Sequence, residues 1–453
     1  MAFAWGVRAV NDDSKLPADD VTRPVFDFNA AVLTRILCIA CVVGGFSSVA
    51  FLGVLQRFAR QLVLWSIYAS IFVQLLMTCS MFAVSAFFGV LMMIPLAVTC
   101  FWFWFARHRI PFAAAHVEVC VEAVRAYPHL YIFAMAMLFA QFVWTMMWQL
   151  AAFGIENSAN NQGGSGAKAV GTTTGGVLFF GMLVSLVWGC QLLSYVTQFV
   201  VASTVGSWWF VSQPVSPVKE SARRAFTTSL GSLSVGALVV SVIEAARLSA
   251  KRMQMLAERD RNGRLAFLAA AAACIIGCVE RLVEFFNHWA VIMCALTGAD
   301  FRTAGAETMA LFGSRGWTLV VNEDLVAPAL RIACLVPAAA SAIAGGALCY
   351  GATPSLSVAD RGNLAGIAAF LSFLIGFAMA TIMTSVLTAG VRTIFVCFAL
   401  NPQALATTHP ESLAKLSAAW QEMYPQVWLD SGYASHFGST GQQTSASYPV
   451  PPV

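Results

Sequence analysis

Two carboxylates inside an otherwise apolar stretch are the residues with the most chemistry to offer. Glu280 and Glu284 are four positions apart, so on a helix they share one face, with Arg281 beside them and Asn287 one turn on. A carboxylate costs roughly 2.5–3.5 kcal/mol at the centre of a bilayer, so a pair of them in such a stretch calls for a reason. They could hold a cation or carry a proton in exchange; the plainer use is a segment lying in the interface with its charges solvated. Aromatic faces are the second kind of cation-binding material, each contributing about 0.5–2 kcal/mol when water is excluded. Trp208, Trp209 and Phe210 follow the small residues Gly206 and Ser207 and could form such a wall, or an interfacial belt at a helix end. Trp144 and Trp148 lie one turn apart on a common face, and Trp188 lies deep in its own block. Packing is the simpler use of all three.

Other chemistries find less support. Cys38/Cys41 and Cys274/Cys278 have ligand-like spacing but lack the further His or Cys partners of a closed site, so no metal is expected. The six histidines are scattered, with no His-Glu-x-x-His and no Gly-x-Ser-x-Gly, so the chain is read as not an enzyme and as needing no cofactor. His288 reads as an interfacial donor. The GGSGAK run within 157–174 is not a phosphate loop, because no Gly-Lys-Ser/Thr closes it. A net charge of +4 is too modest for a nucleic-acid partner.

The elements that must position these groups are set by composition. Hydrophobic residues make up 59% of the 453 and charged residues only 11%, with a mean hydropathy of +0.74. A soluble domain carries about 25% charged residues to wet its surface. The apolar residues come in blocks at roughly 32–55, 62–82, 84–106, 129–152, 175–203, 226–247, 265–296, 325–350 and 364–399. About 20 such residues cross a hydrocarbon layer as a helix, the form that satisfies its own backbone in lipid. The expected fold is an all-α polytopic transmembrane bundle of about nine to ten helices, with the lipid bilayer as its partner. Residues 1–28 read as a polar N-terminal segment without the apolar core of a cleavable signal, 29–400 as the membrane domain, and 401–453 as a polar tail whose end is disordered.

Loop charge should orient the bundle. Arg57/Arg60, Arg107/Arg109/Arg125 and Lys219/Arg223/Arg224 mark inside loops, yet the basic run from Arg247 to Arg264 then falls one crossing away, on the outside. A break in the 175–210 block, or a re-entrant 265–296 block, would restore the alternation. Arg35, Arg331 and Arg392 read as snorkelling or carboxylate-paired. Gly231, Ser232, Gly236, Gly345 and Gly346 offer small surfaces for close helix approach.

Five stretches in order carry a family resemblance: Arg109-Ile-Pro-Phe-Ala113, Val205-Gly-Ser-Trp-Trp-Phe210, Gly231 to Leu238, Cys278-Val-Glu-Arg-Leu282 continuing to Phe286-Asn287 and Gly298-x-x-Phe301, and Thr393 to Phe398. Together they resemble the choline transporter-like family of solute carriers. Two positions depart from it: Arg392 stands where the family usually has an acidic residue, and Leu400-Asn401 replace a common acidic pair. The family also usually has one more helix ahead of the first apolar block.

The resemblance implies a plasma-membrane carrier of choline or a related small organic cation such as ethanolamine, working by alternating access and open to proton exchange. Choline is permanently charged and has no N–H to donate, so its site would use aromatic faces and a carboxylate. Glu280, Glu284, Asn287, Trp208, Trp209, Phe210, Trp144 and Trp188 are the candidate site residues. The alternative is a relative with a different substrate or none, acting as a scaffold or in a channel-like way.

Overall fold

The computed structural model describes residues 86–106, 110–161, 173–259, 263–314, 333–352 and 358–430, with residue 330 and scattered positions between 42 and 82. The described residues are helical apart from short turns. The chain runs α1 (Ala86–Ala106), α2 (Ile110–Ala126), α3 (His129–Asn161), α4 (Thr173–Phe210), α5 (Pro217–Phe226), α6 (Leu230–Arg259) and α7 (Gly263–Thr297). It continues with α8 (Phe301–Ser314), α9 (Leu335–Ala352), α10 (Val358–Leu400), α11 (Gln403–Thr408), α12 (Pro410–Met423) and α13 (Pro425–Asp430). Among the described residues, α3, α4, α6, α7 and α10 each hold a segment long and apolar enough to cross a membrane, and Met92–Phe101 and Leu335–Gly351 are shorter apolar helices. The chain is an integral membrane protein built as an all-α bundle.

Length alone says that three of these helices do more than span. At about 1.5 Å per residue, helices of 38, 35 and 43 residues (α4, α7 and α10) run to about 57, 52 and 64 Å, against roughly 30 Å of hydrocarbon. Burial divides them accordingly. Phe139 and Phe142 of α3, Phe267 and Ile275 of α7, and Phe370 of α10 expose large apolar side chains, as lipid-facing surface should. Residues 195–209 of α4, 289–296 of α7 and 386–399 of α10 are mostly buried instead. Their far ends are wrapped by the short helices α2, α5, α8 and α11–α13.

Aromatic packing fixes that cap. His116 of α2 stacks on Phe395 of α10 at 4.1 Å, and Trp420 of α12 meets Phe112 edge-on at 4.9 Å and Phe398 in parallel at 5.6 Å. Such pairs add about 0.5–1.5 kcal/mol each beyond burial. Ser412 of α12 donates to Glu122 of α2 at 2.7 Å. On the opposite flank Trp289 of α7 meets Phe312 of α8 at 5.1 Å. Gly298 ends α7 with φ 74, the left-handed geometry glycine accepts without a Cβ penalty, and Asp300 caps α8 by accepting from the Thr303 amide at 3.2 Å. Hydrogen bonding from the Thr303 side chain, and then from its amide, holds the exposed Asp300 carboxyl below the usual carboxylate range. The small residues do bring helices close: Ser372 of α10 lies against Gly345, and a Cβ at Gly346 would be 3.0 Å from the Ala369 Cβ.

Two expectations change. Neither α4 nor α7 is broken, so a single crossing by α6 separates Lys219–Arg224 from the basic run near its far end. The physical reason is that the run is not a loop: Arg247, Lys251, Arg252 and Arg259 all lie on α6, and Arg247 is neutralised within the helix pair by Glu280 at 2.6 Å. Residues 403–430, counted above with the polar tail, form α11–α13 and dock on the cap. The N-terminal segment, Cys38/Cys41 and residues 431–453 lie outside the described residues, as do Arg35 and Arg331.

Candidate functional site

A cavity of about 400 Å³ opens between α3, α4, α7 and α10, four of the spanning helices. Its depth follows from the division of burial: it lies where the lipid-facing lengths meet the capped ends. Its wall mixes apolar surface with a set of polar side chains. The α10 side carries Thr381, Thr384, Ser385 and Thr388, with Arg392 one turn beyond. Those positions recur every three or four residues and so form one stripe on the helix. The hydroxyl protons are already committed. Thr381 donates to the Phe377 carbonyl at 2.8 Å, Ser385 to Ile382 at 2.8 Å and Thr388 to Thr384 at 2.9 Å. A hydroxyl that has given its proton to its own helix presents only lone pairs elsewhere. Thr381, Ser385 and Thr388 therefore offer acceptors, suited to ammonium protons or to the polarised methyl groups of a quaternary nitrogen, whereas the buried Thr384 hydroxyl is met by Cys334 Sγ at 3.2 Å.

Facing it, α7 supplies Glu284 and His288 and α4 supplies Ser194, Thr197 and Gln198. His288 Nδ1 donates to Gln198 Oε1 at 2.8 Å, and Gln198 turns its amide nitrogen towards Ser194 Oγ at 3.4 Å. The other ring nitrogen of His288 is 3.7 Å from Glu284. Gln141 of α3 completes the polar wall, and Met137, Leu138 and Leu193 supply apolar surface. Among the described residues, the cavity lining has one carboxylate, one guanidinium, one imidazole and no six-membered aromatic ring.

The candidate residues distribute unevenly around this cavity. Glu284 lines it. Glu280, one turn away, instead forms the buried pair with Arg247 between α7 and α6. Asn287 is buried and donates to the Gly236 carbonyl at 3.2 Å and to the Tyr195 hydroxyl at 3.4 Å, binding α7 to α6 and α4. Gly236 also carries the Phe301 ring so closely that an added Cβ would come within 2.6 Å of it. Two of the sequence stretches singled out above, Gly231 to Leu238 and the run through Asn287 to Phe301, thus meet at one helix crossing.

The tryptophans act as helix clamps. Trp144 donates to the Leu186 carbonyl at 3.3 Å, Trp148 to Met182 at 3.0 Å and Trp188 to Ser234 at 3.1 Å. Trp208 stacks on His409 at 4.0 Å, and Trp209 donates to the Asn401 carbonyl at 3.0 Å. Phe210 is half-buried against the same core. The structure places none of these side chains on the cavity wall.

Sequence reasoning passed over the hydroxyl stripe, Gln141 and Gln198, and took His288 as an interfacial donor and Arg392 as snorkelling or carboxylate-paired. A signal was available: Thr381, Thr384, Ser385, Thr388 and Arg392 recur at helical spacing inside a block otherwise of apolar and small residues.

Comparison with known proteins came out consistently. The profile of the plasma-membrane choline transporter family matches residues 90–403. Protein PNS1 of Gibberella zeae is 28% identical over 340 residues, covering 72% of this chain and 60% of that protein. A CTL-like protein of Dictyostelium discoideum is 27% identical, covering 73% of this chain and 54% of its own length. Protein PNS1 of Kluyveromyces lactis is 24% identical over 94% of this chain and 78% of that protein. The chain thus spans less than two thirds of the length of the first two of these relatives.

Proposed function

Because the chain belongs to the plasma-membrane choline transporter family, we propose that it carries choline or a related small organic cation such as ethanolamine across the plasma membrane. Membership in a transporter family argues for transport and against catalysis. The observation that carries the finer reading is the acceptor-only stripe of Thr381, Ser385 and Thr388 in the cavity that Glu284 also lines. A cation entering there exchanges water for oxygen lone pairs and a carboxylate, which offsets much of its desolvation. The cavity volume falls within the range of about 300–1,000 Å³ of small-molecule sites.

Alternating access would take the form of the spanning lengths rocking about the crossing where Asn287 and Gly236 hold α7 to α6. The cap, held by Trp209, Thr408 and Trp420, would supply one of the two closures. Glu284 is the group on the wall that could carry an exchanged proton.

The test is uptake of radiolabelled choline into cells deprived of their own choline carriers, with the chain quantified at the surface. Saturable uptake, competed by unlabelled choline and weakened in Glu284→Gln, is the expected result. Absence of uptake at full surface expression would refute choline as the cargo.

A further inference from the structure

The α6–α7 hairpin ends in charge that the cavity does not use. Arg247 pairs with Glu280, and the Gly236 carbonyl with Asn287, so the two helices run antiparallel in a fixed register. Counting twelve residues outward from the Arg247–Glu280 pair puts Arg259 level with Leu268, and Arg264 lies one turn farther out on α7. Protein covers α7 from Trp289 to Leu296. From Asn287 back to Leu268 the helix runs about 29 Å, against roughly 30 Å of hydrocarbon. Arg259 and Arg264 therefore stand at the headgroup level of the bilayer.

Two chemistries lie side by side there. Arg259 and Arg264 are exposed, and neither has an ion-pair partner among the described residues. Glu258, the one described carboxylate of the hairpin outward of Glu280, accepts from Gln254 at 2.8 Å. In the connecting sequence Asp260 and Arg261 offset one another in charge. Lys251 and Met255 precede Arg259 at four-residue steps, on one face of α6. Met255 and Leu256 of α6 and Phe267 and Leu268 of α7 expose large apolar side chains, a surface that acyl chains cover. Guanidinium groups match phosphate oxygens with paired hydrogen bonds. We propose that this end of the hairpin binds an anionic phospholipid. Arg259 and Arg264 receive its phosphate, Lys251 reaches up from deeper in the leaflet, and the acyl chains lie along Met255, Leu256, Phe267 and Leu268. A net-negative headgroup is preferred to a zwitterionic one, whose own ammonium the two arginines repel.

The full chain, reconstituted in nanodiscs of equal parts phosphatidylcholine and phosphatidylglycerol, tests this when the lipids it retains in detergent are identified by native mass spectrometry. Each basic side chain near an anionic headgroup strengthens binding by about fivefold, so phosphatidylglycerol should be retained over phosphatidylcholine by about tenfold or more. Arg259→Gln with Arg264→Gln should bring that preference to within about twofold, and Arg259→Lys with Arg264→Lys, which keeps the charge, should hold most of it. Circular dichroism checks folding. If the double variant fails to fold, Arg259→Gln and Arg264→Gln decide singly, each expected to lose about fivefold. Equal retention of the two lipids by the wild type, or an undiminished preference in the folded Gln variants, overturns the proposal. Displacement of the lipid by soluble glycerol phosphate also overturns it, since the acyl chains would then contribute nothing.

Discussion

Glu280→Gln is the substitution that most sharply separates a structural acid from a substrate ligand. Glu280 is buried, its side chain 9% exposed, and it lies 2.6 Å from Arg247 across the α6–α7 contact. At an effective dielectric of about 20 that separation corresponds to a Coulomb attraction of about 6 kcal/mol, much of it offset by removing both ions from water. Deleting one partner of a buried pair costs about 3–5 kcal/mol, because the other charge is left stranded. The Arg247 side chain keeps 26% of its exposure and can lean outward, which points to the lower end, about 3 kcal/mol. The double substitution Arg247→Gln with Glu280→Gln leaves two neutral amides and should recover most of that loss. Unfolding of the purified protein by SDS in mixed micelles measures stability, and choline uptake per surface molecule measures transport. The pairing role predicts that Glu280→Gln loses stability and that the double variant regains both stability and uptake. Unchanged stability in Glu280→Gln, together with uptake that Arg247→Gln cannot restore, would refute the reasoning and return Glu280 to the substrate.

Other perturbations test the remaining parts. Glu284→Gln, by removing the cavity's carboxylate, should reduce uptake of choline or ethanolamine by roughly tenfold with little change in thermal stability, read from concentration-dependent uptake. Burial holds the His116 imidazole down at about 4, against 6.5 for the free side chain. The folded cap therefore binds fewer protons than the unfolded chain: the contribution is full above about pH 6.5 and is lost as pH falls towards 4, by about 3 kcal/mol in all. His116→Phe keeps the stack on Phe395 and should flatten that slope in melting curves taken between pH 7 and 4.5. A Cβ at Gly189 would collide with the Trp144 indole, so Gly189→Leu should push α3 off α4 and cost about 1–3 kcal/mol in an SDS titration. Trp420→Ala removes a ring packed on Phe112 and Phe398 and should cost about 3–5 kcal/mol, visible as early melting of the cap in hydrogen exchange.

The membrane helices were legible because lipid imposes a length and a composition that few other environments do. The apolar blocks at 129–152 and 265–296 fall within α3 and α7, and most of 226–247 falls within α6, although each helix runs past its block. The overrun was not legible. Residues 289–296 and 386–399 are as apolar as the lipid-facing lengths before them, and hydropathy does not distinguish burial in protein from burial in lipid. What marks them is the amphipathic chain elsewhere that covers them: α12 turns Leu413, Leu416 and Trp420 inward from a helix that otherwise looks like polar tail. Part of the basic run was also not legible: Arg247 reads as a loop residue until Glu280 is seen beside it on α7, and a paired charge carries little orienting information.

The site was half legible, and the half that was missed shows why. Carboxylates and tryptophans attract notice in an apolar sequence because each is costly or bulky, yet cost and bulk also recommend them for holding helices together. Trp144, Trp148, Trp188 and Trp209 all spend their indole N–H groups on carbonyls of neighbouring elements, and Glu280 its charge on Arg247. Threonine and serine are cheap in a membrane helix because they bond to their own backbone. That bond makes them unobtrusive in sequence, and it also turns their free lone pairs outward as acceptors. A stripe of such residues on α10 can line a path without destabilising the helix that bears it.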